Sequence, residues 1–214
     1  MTKGLPLAAA ILTGGRARRL GGVTKGALRL GQAAIIDRQL EALRDVTADI
    51  FVVGRDDPAW ASRGLRVVPD EIPDTGPLGG IYTAILHSPC ERTLVVACDM
   101  PFLSDALLRR LAAVQDADLV IPRRARGYEP LCAIYSRVCA PDIRARIDRG
   151  AYEASTLPAG VRVIELNVDN DLIFVNVNTP HDYEGAKRLI EWKPEPTQDR
   201  ITTGRTRRRP DADS

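Results

Sequence analysis

Residues 11–25 read ILTGGRARRLGGVTK. The apolar run over residues 7–12 ends at Thr13, which predicts a strand running straight into a glycine-rich turn. Gly14 and Gly15 carry no side chain, so the backbone there can turn sharply and approach a ligand closely. Arg16, Arg18, Arg19 and Lys25 place positive charge beside freed backbone N–H groups, a combination suited to a triphosphate. A solvated surface turn is the competing reading. Spelling excludes two other phosphate loops. A Walker loop needs glycine directly before its lysine and Ser or Thr after it, whereas Lys25 stands between Thr24 and Gly26. The dinucleotide fingerprint needs G-x-G-x-x-G after the strand, and Gly14, Gly15, Gly21 and Gly22 are not spaced that way.

Outward from this loop, apolar runs alternate with helical stripes. Residues 34–43 place Ile35, Ile36, Leu40 and Leu43 on one helical face, with Asp37, Arg38, Gln39 and Glu41 filling the rest. Residues 50–53 and 65–68 read as strands. Pro77 suits the first turn of a helix that runs to His87. The nearly unbroken apolar run over residues 93–98 suggests a parallel strand covered on both faces. Ser104 and Asp105 cap a further helix, and residues 118–122 form a fifth strand. Strand and helix in alternation give an α/β class, a three-layer sandwich with a Rossmann-like, mostly parallel sheet and helices on both faces. The second part is less regular. Residues 129–136 read as a strand entering a helix that continues towards Ile147. Residues 161–166 and 172–177 read as two strands forming a small antiparallel addition. Thr179 caps a last helix over residues 182–191, with Pro180 in its first position. Residues 1–192 are thus expected to form one domain, and residues 193–214, charged and proline-containing, a disordered tail.

Bulk properties narrow the function. The 214 residues are 44% hydrophobic and carry a net charge of only +2, from 30 basic and 28 acidic side chains. No overall field draws such a chain to nucleic acid or membrane, and no apolar run approaches membrane-spanning length. No signal peptide is evident. Cys90, Cys98, Cys132 and Cys139 lack metal-ligand spacing, and His87 and His181 lie far apart, so free core thiols and a cytoplasmic location are expected.

Ligands of open α/β sheets bind beyond the carboxyl ends of the strands. The glycine loop, Asp70 and Asp99 all fall at such ends. A carboxylate there, followed closely by proline, suits Mg²⁺, which prefers oxygen ligands and retains water and phosphate oxygens. As a helix cap Asp99 is less apt than Ser104 or Asp105. Lys25 can neutralise phosphate as a point charge on a flexible stem. Asp70 and Asp74 flank a loop suited to a base, a ribose or a second substrate. Gly76, Gly79 and Gly80 suggest close approach of a ring or sugar. Asn178 offers an amide oxygen to a metal or a hydrogen bond to phosphate, and Asn176 lies one strand period away. No Ser-His-Asp or Cys-His arrangement is visible. The chemistry indicated is phosphoryl or nucleotidyl transfer with a substrate phosphate as nucleophile.

The segments LTGGRARRLGGVTKGALRL, DEIPDTGPLGGI, VVACDMPFL, EPLCAIY and FVNVNTPHDY together resemble, in order, the molybdenum cofactor guanylyltransferases of the nucleotide-diphospho-sugar-transferase fold group. The resemblance spans about residues 6 to 190. It implies Mg²⁺-dependent transfer of GMP from GTP to the terminal phosphate of molybdopterin, with pyrophosphate released. It implies that Leu12, Gly14 and Gly15 line the guanine and phosphate pocket and that Arg19 and Lys25 hold the triphosphate. Asp70 and Gly79 would sit around the nucleoside, Asp99 would bind Mg²⁺, and Asn178 would lie near metal and phosphates. Transient contact with cofactor-biosynthesis or molybdoenzyme-chaperone proteins goes with that reading. The pair Gly14–Gly15 resembles the L-x-G-G of guanylyltransferases and not the L-x-A-G of cytidylyltransferases. The chain departs from the family at Thr24, where aspartate is usual, at Arg16 and Ala17, at Leu20, at Ala33, and at Glu129, where glutamine is common. Transfer to another phosphorylated acceptor and a non-catalytic nucleotide-binding paralogue stay open as alternatives.

Overall fold

A computed structural model describes residues 6–13, 19–20, 23–191 and 201–207. The order of elements is β1 (Leu7–Leu12), β2 (Arg19–Leu20), β3 (Val23–Thr24), a 3₁₀ turn (Lys25–Ala27), β4 (Arg29–Leu30), β5 (Ala33–Ala34), α1 (Ile35–Arg44), β6 (Ile50–Val53), α2 (Pro58–Ala61) and β7 (Arg66–Val68). There follow α3 (Gly76–His87), β8 (Arg92–Ala97), α4 (Asp105–Ala113), β9 (Leu119–Arg124), β10 (Gly127–Tyr128) and β11 (Cys132–Ser136). The chain then forms α5 (Ala140–Asp148), β12 (Val163–Val168), a 3₁₀ turn (Asp171–Phe174), α6 (Pro180–Glu191) and β13 (Ile201–Arg207).

One sheet runs β13-β12-β9-β11-β8-β1-β6-β7, with β10 paired to β9. β7, β6, β1 and β8 are mutually parallel. β11 lies antiparallel between β8 and β9, and β12 pairs parallel with β9. The sheet is therefore mixed and mostly parallel, as the pattern of runs predicts.

Alternation along β1 sorts its fully buried side chains onto two faces. Leu7, Ala9 and Ile11 join α1 and α4 in one apolar layer, through Ile36, Leu40, Leu43, Leu107 and Leu111. Ala8, Ala10 and Leu12 join α3 and α5 in the other, through Ile81, Ala84, Ile85, Ile143 and Ile147. Alanines on β1 let both helix layers approach the centre of the sheet. A smaller cluster holds α6 to the segment after the loop, through Leu28, Leu30, Ile35, Val177 and Ala186.

Two expectations need correction. Residues 172–177 do not form a strand: Asp171–Phe174 is a 3₁₀ turn, capped by the Asn170 side chain, which accepts from Leu172 N at 3.0 Å. Val177 N then donates to Asp99 O at 2.9 Å, so this backbone serves the loop after β8 instead of the sheet. The antiparallel partner of β12 is β13. Residues 201–207, expected within a disordered tail, thus form an edge strand. Ile201, Thr202, Thr203 and Thr206 suit a pleated backbone, and β12 offers an open edge. Residues 192–200 and 208–214 lie outside the described residues.

Candidate active site

The carboxyl ends of β1, β6, β7 and β8 open into a cleft of about 780 Å³, lined among others by Leu12, Thr13, Lys25, Asp70, Gly80, Asp99, Glu129 and Asn178. At its centre three polar side chains meet. Lys25 is buried, and its Nζ donates to the Asn178 Oδ1 and lies 3.5 Å from Asp99 Oδ2. The three residues are 74 and 153 positions apart along the chain, counted from Lys25, so only the fold brings them together.

Each is held by its own element. Lys25 opens a 3₁₀ turn whose Gly26 packs under Trp60, where a Cβ would come within 2.6 Å of the indole ring. Asp99 sits in the turn after β8. That turn is fixed by Cys98 N donating to Leu12 O at 3.0 Å and by the fully buried Gln39, whose Nε2 donates to Ala97 O at 2.7 Å and Met100 O at 3.1 Å. Asn178 precedes α6. Its N–H and that of Thr179 donate to Asp182 Oδ2, while Asp182 N donates back to Thr179 Oγ1, a reciprocal cap. The bonds from Thr179 and Asn178 hold the Asp182 carboxyl below its ordinary range.

Burial pushes the Asp99 carboxyl above its ordinary value, and Lys25 opposes that rise. A mostly buried carboxylate gains from a cation, and one lysine at 3.5 Å compensates only part of the burial. Asp99 and Asn178 supply hard oxygen donors facing one point, which fits a divalent ion such as Mg²⁺ completing its shell with water and phosphate oxygens. Among the described residues no three His, Cys, Asp or Glu cluster as a self-sufficient metal cage. Burial drives the Cys98 and Cys139 thiols up to about 12 and raises Cys132 and Cys90 as well, which disfavours their thiolate forms.

Asp70, half-buried, and Leu12 both line the cleft. Gly79 does not line it: its missing Cβ makes room for Thr75, whose Oγ1 would be 1.8 Å away. Gly80 lines the cleft instead and packs against Leu12, where a Cβ would come within 3.0 Å. Gly14 and Gly15 lie outside the described residues, and Arg19 stands on β2, its backbone opposite Thr24.

Sequence reasoning passed over Gln39, Thr13 and Glu129 as site residues. Nothing in its place one position before Leu40 marks Gln39 out; its task appears only with the carbonyls of Ala97 and Met100. Thr13 ties β1 to β6, with N and Oγ1 donating to Val53 O at 2.9 and 3.0 Å.

The model of the MobA-like NTP transferase domain matches residues 9–161. The chain belongs to this family. It is a nucleotidyltransferase. It is 35% identical over 189 residues to a probable molybdenum cofactor guanylyltransferase of Pelotomaculum thermopropionicum, covering 85% of this chain and 92% of that protein. A molybdenum cofactor guanylyltransferase of Desulfosudis oleivorans is 30% identical over 190 residues, covering 85% and 94%. Among solved structures, molybdopterin-guanine dinucleotide biosynthesis protein A from Archaeoglobus fulgidus superposes with a TM-score of 0.69 at 25% identity, covering 86% of this chain and 99% of that one. Among the described residues no helix is long and apolar enough to cross a membrane.

Proposed function

We propose that this enzyme transfers GMP from GTP to the terminal phosphate of molybdopterin and releases pyrophosphate. The observation that carries the reading is the convergence of Lys25, Asp99 and Asn178 in one cleft, in a chain whose relatives bear the guanylyltransferase name. A bound Mg²⁺ would supply charge neutralisation at the phosphates, held by Asp99 with Asn178 beside it. A solved neighbour of the same fold from Mycobacterium tuberculosis, 19% identical with a TM-score of 0.61 over 87% of this chain and all of that one, was obtained with manganese.

In this reading Lys25 releases its present partners and its ammonium binds phosphate oxygens of the donor. An oxygen of the acceptor phosphate attacks the α-phosphorus, the new P–O bond forms, and the α–β bond breaks with its electrons leaving on pyrophosphate. The nucleophile arrives ionised, so no protein base is required. The enzyme's contribution is position and charge, which is where most catalysis of phosphoryl transfer lies. Leu12, Asp70 and Gly80 flank the nucleoside. Preference for guanine rests on Gly14 and Gly15 in the sequence.

The test is incubation with Mg²⁺, molybdopterin and each of GTP, CTP and ATP, following pyrophosphate and the mass of the product. Turnover with GTP alone is expected. Turnover with CTP in its place would refute the donor, and no release with any nucleotide would refute guanylyl transfer to this acceptor.

A further inference from the structure

Carboxylates stand at both ends of the cleft, Asp70 and Asp74 at one and Glu129 at the other. Strand order places Asp70, after β7, on one side of Asp99, and the segment entering β11 on the other. Ala97 N donates to Leu131 O at 3.0 Å, which fixes Glu129, Pro130 and Leu131 beside the turn that carries Asp99. Glu129 is mostly buried, with 17% of its side chain exposed. Its backbone is pinned at both ends, N donating to Pro122 O at 3.0 Å and O accepting from Cys132 N at 3.1 Å.

Both bonds from Arg124 converge on Oε1 of Glu129, with Nε at 2.6 Å. Oε2 accepts from no described residue. Arg124 is shared: its Nη1 lies 3.1 Å from Asp171, and its guanidinium covers the Phe174 ring at 5.1 Å. Arg124, divided between two carboxylates and clamped on three sides, fixes the orientation of the Glu129 carboxylate and leaves its second oxygen open to an N–H donor.

Reaction at Asp99 and Lys25 requires the organic ends of donor and acceptor to lie on opposite sides of the phosphates. With the nucleoside beside Asp70, the acceptor ring falls against Glu129. We propose that Glu129 is a specificity-determining residue for the acceptor, its carboxylate reading the N–H edge of a 2-amino-4-oxopyrimidine ring, as a pterin carries. The assignment rests on the guanylyl-transfer reading above. Guanine presents the same edge, so the experiment separates the two sources.

Binding of neopterin and of a lumazine analogue, which lacks the 2-amino group, is measured by fluorescence on the wild-type protein and on Glu129→Gln. GTP binding is measured on the same samples. The wild type should prefer neopterin to lumazine by about tenfold or more, the size expected for losing a hydrogen bond to a charged group. Glu129→Gln keeps an acceptor oxygen but loses the charge, so it should reduce that preference and leave GTP affinity within about twofold. Equal binding of both pteridines to the wild type needs no variant to overturn the proposal. So does a fall in GTP affinity in a folded Glu129→Gln, which would give the carboxylate to guanine. Pyrophosphate release from GTP and molybdopterin is followed in parallel. Turnover whose KM for molybdopterin is unchanged in Glu129→Gln overturns the role of Glu129 alone. Glu129-dependent neopterin binding without turnover overturns guanylyl transfer and leaves that role standing.

Discussion

The sheet has two unlike halves. β7, β6, β1 and β8 run parallel, each carboxyl end opening on the same edge, and Leu12, Asp70 and Asp99 stand just there. Beyond β8 the direction reverses at β11, and the outer strands β12 and β13 meet antiparallel. Among the described residues, that half contributes to the cleft through Glu129–Leu131 before β11 and through Asn176 and Asn178 before α6. Its own buried charge lies away from the cleft lining: Glu165 is fully buried on β12 and accepts from Arg123 at 2.9 Å and from Tyr128 Oη at 2.8 Å, with Arg207 at 3.6 Å. Parallel strands gather reactive side chains at one edge, while the mixed half supplies a wall and a margin. Substitutions in the two halves should therefore fail in different ways.

Lys25→Met should be the sharpest break. It removes the charge proposed to bind phosphate and should lower kcat by about 10²–10³-fold, the loss typical of one group stabilising a transition state, with melting temperature nearly unchanged. Gly26→Ala should cost stability as well as activity. The new methyl meets Trp60 at 2.6 Å in a fully packed site, which predicts a loss of about 1–3 kcal/mol, read from denaturant midpoints.

In the other half, Glu165→Gln should lower stability at neutral pH and flatten its dependence on pH, with turnover unaltered. Burial raises the Glu165 carboxyl, but the bonds from Arg123 and Tyr128 outweigh it, and its value lies below the ordinary 4.5. A lowered carboxyl stabilises the fold above its unfolded value and loses that contribution as pH falls through the folded one. The glutamine variant should therefore lose less stability than wild type on acidification below 4.5, checked by urea midpoints across that range. Arg207→Ser is the mildest change. Its ion pair is half exposed, so it should cost less than about 1 kcal/mol, with faster proteolysis near the carboxyl terminus and unaltered turnover.

The contrast also explains what could be read in advance. β1, β6 and β8 announce themselves as apolar runs because both faces are buried; Asp99 follows from its place at the end of β8 and Lys25 from the glycine loop, whereas Asn178 was read at the end of a strand that does not form. Gln39 escaped notice because a polar residue beside Leu40 reads as filler. Only the carbonyls of Ala97 and Met100, brought there by the fold, give it a task. Residues 172–177 carry the spacing of a strand, yet the Asn170 cap and the bond from Val177 to Asp99 turn them to another use. β13 has one large apolar residue, Ile201, and its strand state comes from backbone pairing with β12, which composition does not encode. Gly79 was assigned to the nucleoside by motif, but the atom nearest its missing side chain belongs to Thr75.

The account turns on Asp99 as the carboxylate of the cation centre. Its most direct test is Asp99→Ala, with GTP binding and pyrophosphate release in the presence of Mg²⁺ and molybdopterin measured on one folded sample. The account predicts that GTP still binds and that release falls to background. Release near the wild-type rate would contradict it.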